Sequence, residues 1–104
     1  MLETDFYQMV ALLRRTGDLV FGSSKVESLM RHSEVATALV AQDLSSIPSY
    51  FNTLSPKRLV QFGDADKYGP IFSRERVVFI GLKKHHLVPI LINKIKIIRN
   101  LQNS

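Results

Sequence analysis

The sequence predicts an α/β protein, a three-layer α/β/α sandwich with a mixed sheet of about four strands. Three observations predict it. Stretches with apolar residues at helical spacing alternate with short apolar runs in the order α, β, α, β, α, β, α, β, α, which places helices on both faces of a mainly parallel or mixed sheet. Residues 35–41 are almost continuously apolar, as a strand buried on both faces must be. The chain has 104 residues, of which 45% are hydrophobic and 22% charged, enough apolar material for a core without metals or disulfides.

Phe6, Met9, Val10, Leu12 and Leu13 recur at helical spacing, with Thr4 or Asp5 as cap and Gly17 as stop, so residues 4–15 form the first helix. Leu19, Val20 and Phe21 make a short strand. Gly22, Ser23 and Ser24 then cap a second helix, which puts Val26, Leu29 and Met30 on one face and ends near Ser33. Residues 35–41 are the central strand. A third helix runs from about Ser46 to Leu54, with Pro48 in its first turn and Pro56 closing it. Residues 58–62 read as the third strand, followed by the loop 63–70, dense in turn formers. Ser73 caps a fourth, largely buried helix over residues 74–82. Residues 86–92 form the last strand, at an edge or a bulge because of Pro89. The last helix spans residues 94–101, with Ile95, Ile98 and Leu101 facing inward. All of this reads as one domain over residues 1–104, alone or as a piece of a longer chain.

Charge is unevenly spread. Residues 1–56 hold four basic and six acidic side chains, −2, whereas residues 57–104 hold ten and three, +7, for a total of +5. A basic half suits a nucleic-acid backbone or other polyanion, and equally a solvated face. No cysteine is present, which excludes disulfides and thiolate chemistry and allows a cytoplasmic location. Glu3 and Asp5 stand where a secretory signal would be basic, and no apolar run approaches the ~20 residues that span a bilayer. His85 and His86 face apart in a strand and His32 is remote, so neither a metal nor a cofactor is expected. Asp64 and Asp66 shape a turn, and no nucleophile-elbow pattern occurs, so catalysis is not expected. Lys94, Lys96 and Arg99 belong to a helix that packs on the sheet and is too short for a membrane-surface anchor. Its extra apolar Ile97 marks an exposed patch suited to a protein partner or a homodimer.

The segment 12–26 carries the candidate site. A helix ends in Arg14 and Arg15, a short strand follows, and Gly22, Ser23, Ser24 and Lys25 open the next helix, whose first N–H groups lack internal partners and carry the positive end of the dipole. Arg14, Arg15 and Lys25 are three cations able to surround one phosphate there. Lys67, Ser73, Arg74 and Arg76 flank the loop after the third strand, and Lys57 and Arg58 sit beside that strand, so distributed phosphate contacts close to the seat are expected. Tyr68 is the freer candidate for stacking on an unpaired base, while Phe72 reads as a core residue.

Three blocks resemble the ribosomal protein L-seven-Ae family, the kink-turn RNA binders, and especially its small bacterial YlxQ-like and YlxR-associated members. Residues 12–22, Leu-Leu-Arg-Arg-Thr-Gly-Asp-Leu-Val-Phe-Gly, are similar to the family's L-x-R-R-A-G-x-L-V-x-G. Ala38-Leu39-Val40-Ala41-Gln42-Asp43-Leu44-Ser45 is like its strand ending in A-x-D-x-S, and Phe72-Ser73-Arg74-Glu75 like its F-S-x-E. Kink-turn binders of the family carry G-x-N-E at the start of the second helix, where this chain has Gly22-Ser23-Ser24-Lys25, without the Asn and Glu. The resemblance therefore implies RNA binding, to structured or ribosomal RNA, more strongly than a particular RNA motif. The alternative is a protein-interaction or structural domain that kept the scaffold and lost RNA recognition.

Overall fold

The computed structural model describes residues 2–43 and 47–102. Among the described residues five α-helices and four strands alternate: α1 (Leu2–Arg15), β1 (Leu19–Phe21), α2 (Ser23–Arg31), β2 (Thr37–Val40), α3 (Ser49–Asn52), β3 (Leu59–Gln61), α4 (Ala65–Tyr68) continued by a 3-10 turn (Gly69–Phe72), β4 (Phe79–Leu82) and α5 (Val88–Gln102). The sheet order is β1-β4-β2-β3. β4 pairs antiparallel with both β1 and β2, placing Ile80 opposite Phe21 and Leu39, while β2 and β3 are parallel. The sheet is thus mixed, and β1, β2 and β3 all end at the edge where β4 begins.

Alternation along the strands sorts two cores. Leu39, Ile80 and Leu82 point to one face and pack with Phe6, Val10 and Leu13 of α1 and Leu91, Ile95 and Ile98 of α5. Ala38, Val40 and Phe79 point to the other, against Val26 and Met30 of α2 and Phe51 of α3. Helices cover both faces, as a three-layer sandwich requires. Among the described residues, no helix is long and apolar enough to cross a membrane.

The helix ends are locally determined. Asp18 N–H donates to Leu13 O and Gly17 N–H to Arg14 O, so α1 closes in a Schellman motif with Gly17 at φ 80. The same 6→1 and 5→2 pattern ends α2, with Glu34 N–H on Leu29 O, Ser33 N–H on Met30 O and Ser33 at φ 61.

The C-terminal third differs from the sequence reading. Residues 74–82 are not a helix: their second half is β4, every residue of which is buried. An unbroken apolar run has no period of its own, and a central strand buried on both faces demands such a run as much as a buried helix does. The loop 63–70 instead contains α4 and the start of the 3-10 turn. Residues 86–92 are not a strand, since α5 starts at Val88 and holds Pro89 in its first turn, where no intrahelical N–H is required. Leu101, expected inward, is 61% exposed, and Leu91 takes an inward place one turn before Ile95. α3 is shorter than expected, and its anticipated start at Ser46 lies outside the described residues.

Candidate nucleic-acid interface

The carboxyl edge of the sheet brings together the turn at Gly22, the segment after β2 at Gln42 and Asp43, the segment after β3 at Gly63 and Asp64, and the strap 73–78 that leads into β4. Gly22 adopts φ 97 and ψ 135, open to glycine and strained for L side chains. Its N–H donates to Phe79 O at 2.9 Å and its carbonyl accepts Val26 N–H at 2.9 Å, which ties the start of α2 to the sheet. No side-chain cap bonds this end. The N–H groups of Ser23, Ser24 and Lys25 therefore have no carbonyl a turn back within the helix and point out of its positive end.

Beside this turn stands a ladder of cations and rings. The Phe21 and Phe72 rings lie 4.8 Å apart between centroids. The Arg74 guanidinium stands 5.6 Å from the Phe21 ring centre and the Arg14 guanidinium 5.5 Å from that of Phe72. Phe72 is 4% exposed, a core residue as expected, and Phe21 is half-buried. The strap holds Arg74 in place: Arg74 N–H donates to Gly69 O at 2.9 Å and Ser73 N–H to Pro70 O. A Cβ on Gly69 would lie 2.3 Å from the Glu75 carbonyl oxygen, so only glycine permits this close approach. Ser73, at φ 59, ends the 3-10 turn and does not cap a helix.

The other sequence-predicted residues fall in different places. Arg15, like Arg14, starts from the opposite end of β1, separated from Gly22 by the length of the strand, ~10 Å, and is exposed. Lys25 is exposed on the first turn of α2. Lys67 pairs with Asp64 at 3.8 Å and stands 5.6 Å from the Tyr7 ring, in a shallow cavity between α1 and the α4 region lined by Tyr7, Gln8, Ala11 and Ile71. Tyr68 is not a free stacking residue. It is fully buried, its hydroxyl donates to Phe62 O, and burial pushes its phenol far above the usual tyrosine range. The nearby Tyr7 hydroxyl accepts Asp64 N–H at 3.0 Å, and its pKa is also raised, chiefly by burial. Lys57 and Arg58 precede β3 and so lie at the opposite edge of the sheet, not near the seat.

The sequence offers Asp43 as a cap for the third helix, but it serves α4 instead. One of its carboxylate oxygens accepts the first N–H of α4, Ala65, at 3.1 Å, and the other pairs with Arg76 at 3.0 Å. Arg76 also meets Asp66 at 3.5 Å. The part of the edge beyond β2 and β3 is thus charge-balanced, whereas among the described residues no carboxylate lies within 4 Å of Arg14, Lys25 or Arg74. These three cations are left unneutralised. The partner could not be read from local spacing, because Asp43 and Ala65 are 22 residues apart and meet only in the folded chain. No cluster of three or more metal-ligating side chains occurs among the described residues.

No family model matches this sequence, and no curated protein matches it. Solved structures do share its fold. A protein of unknown function from Bacillus halodurans superposes with a TM-score of 0.71 at 15% identity, over 88% of this chain and 96% of that one. A 15.5 kDa RNA-binding protein from Giardia lamblia superposes with a TM-score of 0.68 at 12% identity, over 90% of this chain and 83% of that one. The α/β sandwich with a mixed four-stranded sheet is thus the L-seven-Ae-like fold.

Proposed function

We propose that this chain is a non-enzymatic RNA-binding domain that docks structured RNA on the carboxyl edge of its sheet. The observation that carries this reading is the Arg14–Phe72–Phe21–Arg74 ladder set beside the outward N–H groups of α2. A phosphate at those N–H groups gains the helix dipole and Lys25, while Arg14 and Arg74, stacked on rings and without carboxylate partners, contact the adjoining backbone. Ser23, Ser24 and Lys25 supply no Asn–Glu pair for sheared G·A recognition, so this edge reads phosphate geometry more than base identity. The L-seven-Ae resemblance, with its small bacterial YlxQ-like members, and the Giardia neighbour support RNA as ligand; ribosomal RNA and a cytoplasmic location belong to the same reading.

A panel of structured RNAs, including a kink-turn and ribosomal fragments, tests it at low and physiological salt. Arg74→Ala and Lys25→Ala are each expected to weaken binding across the panel and to lower the log–log salt slope by about 1. Binding to no RNA at low salt would favour the protein-interaction reading, for which the specific observation is the pair Ile90 and Ile97, 47% and 41% exposed on α5.

A further inference from the structure

The opposite edge, where β1, β2 and β3 begin and β4 ends, gathers a second set of cations. A shallow cavity of about 690 Å³ opens there. It is lined by Arg31 at the end of α2, Arg58 directly before β3, Lys84 just after β4 and Tyr50 on α3. Segments far apart in sequence deliver three positive charges to one hollow, and none of its described lining residues is acidic. Arg31 alone has a local reason to be there, since it complements the dipole at the end of α2 and pairs with Glu27 at 3.0 Å. Its guanidinium also stands 4.4 Å from the centre of the Tyr50 ring, so ring and carboxylate hold it as a flat, pre-positioned fork. Arg58 and Lys84 are exposed, and among the described residues no carboxylate lies within 4 Å of either.

We propose that this hollow is a second phosphate-binding site, taking a nucleotide of single-stranded RNA, with Arg58 and Lys84 on the phosphate oxygens and the Arg31–Tyr50 stack beside the base. The combination selects the ligand. An acidic peptide could pair its carboxylates with the cations but would leave the flat ring-and-guanidinium platform unused, and a concave hollow does not lie flat on a lipid surface; a nucleotide uses both the charges and the platform. The volume falls in the range of ordinary small-ligand sites. The site shares the ligand class of the Gly22 edge but none of its residues, so each can fail alone.

The test is a titration of the ¹⁵N-labelled protein with a short 5′-phosphorylated oligouridylate, followed at each backbone amide. The amides of Ala36, Arg58 and Lys84 are expected to shift in the wild type and to stop shifting in Arg58→Ala/Lys84→Ala, while those of Ser23, Ser24 and Lys25 respond as before. Both side chains are exposed, so the variant is expected to keep its dispersed spectrum. The salt slope of the affinity should fall by about 1.4, at ~0.7 for each single-strand phosphate that the variant no longer neutralises. Shifts confined to the Gly22 edge would overturn the second site alone. Equal shifts in the hollow with oligoglutamate of matched charge would also overturn it, by showing a patch that takes any polyanion. Shifts in the hollow alone would uphold it and count against the Gly22 edge, and no shifts anywhere would overturn both.

Discussion

Gly22 meets two demands that no other residue type satisfies together. It must turn the chain out of β1 at a positive φ, and it must leave the N–H groups that follow it uncovered. No atom lies within 4 Å of where its Cβ would stand, so the demand is conformational and not steric. Gly22→Ala is therefore expected to lower the unfolding free energy by about 1–3 kcal/mol, the usual cost of an L residue in a glycine-only region, as read by urea denaturation. Ser33 offers the mirror experiment. It holds a left-handed conformation at φ 61 in the position where helices favour glycine. Ser33→Gly is expected to raise stability by about 0.5–1 kcal/mol, because the relief of backbone strain exceeds the extra entropy of the unfolded glycine. A loss of stability in that variant would mean that the Ser33 side chain supports the turn. The chemistry at the candidate site follows the same logic of neighbours. Arg74 and Arg76 are two residues apart, yet one stands over a ring and the other is neutralised by Asp43 and Asp66.

Among the elements, the first two helices and the first three strands were legible because each carries its own punctuation: Gly17 and Gly22 bracket β1, and Pro48 and Pro56 bracket the region of α3. Beyond residue 62 local signals compete. Gly63, Asp64, Gly69 and Pro70 read as loop formers, but the buried Ala65, Tyr68 and Phe72 among them are what fold the segment into two short helical turns. The run 77–82 has no period to separate strand from helix, and Pro89 suits a strand edge as well as the first turn of α5. The cations were visible in the sequence, but their neutralisation was not. The Arg76–Asp43 pair spans 33 residues and exists only once β2 and the strap lie side by side. The α5 register makes the difference measurable. Pro89→Ala should change stability by no more than about 0.5 kcal/mol, since that position needs no N–H donor. Ile95→Ala should cost about 2–5 kcal/mol, because Ile95 is 1% exposed. Ile97→Ala, at 41% exposed, should stay within about 0.5 kcal/mol. Equal costs for Ile95→Ala and Ile97→Ala in thermal unfolding would place the wrong face of the helix on the sheet.

For the molecule as a whole, the buried phenol of Tyr68 sets a limit in alkali. Below its ordinary pKa of 10.0 the group is protonated in both folded and unfolded chains. Above that pH the unfolded chain releases the proton and the folded chain keeps it, so stability falls as pH rises, by about 1.4 kcal/mol per unit from this one group. Tyr7, raised in the same direction, adds to the fall. Tyr68→Phe loses the hydrogen bond to Phe62 O and is expected to be less stable at neutral pH, yet to show a flatter decline when unfolding curves are compared above pH 10. The sheet order bears on another property of the whole. β4 lies between β1 and β2 although it is the last of the four strands made, and among the described residues β1 has no other strand to pair with. During synthesis, therefore, the chain can close its parallel β2–β3 pair but must carry β1 unsatisfied until residues 79–82 emerge, so the four-stranded sheet is completed only when the strand that joins its two parts has left the ribosome.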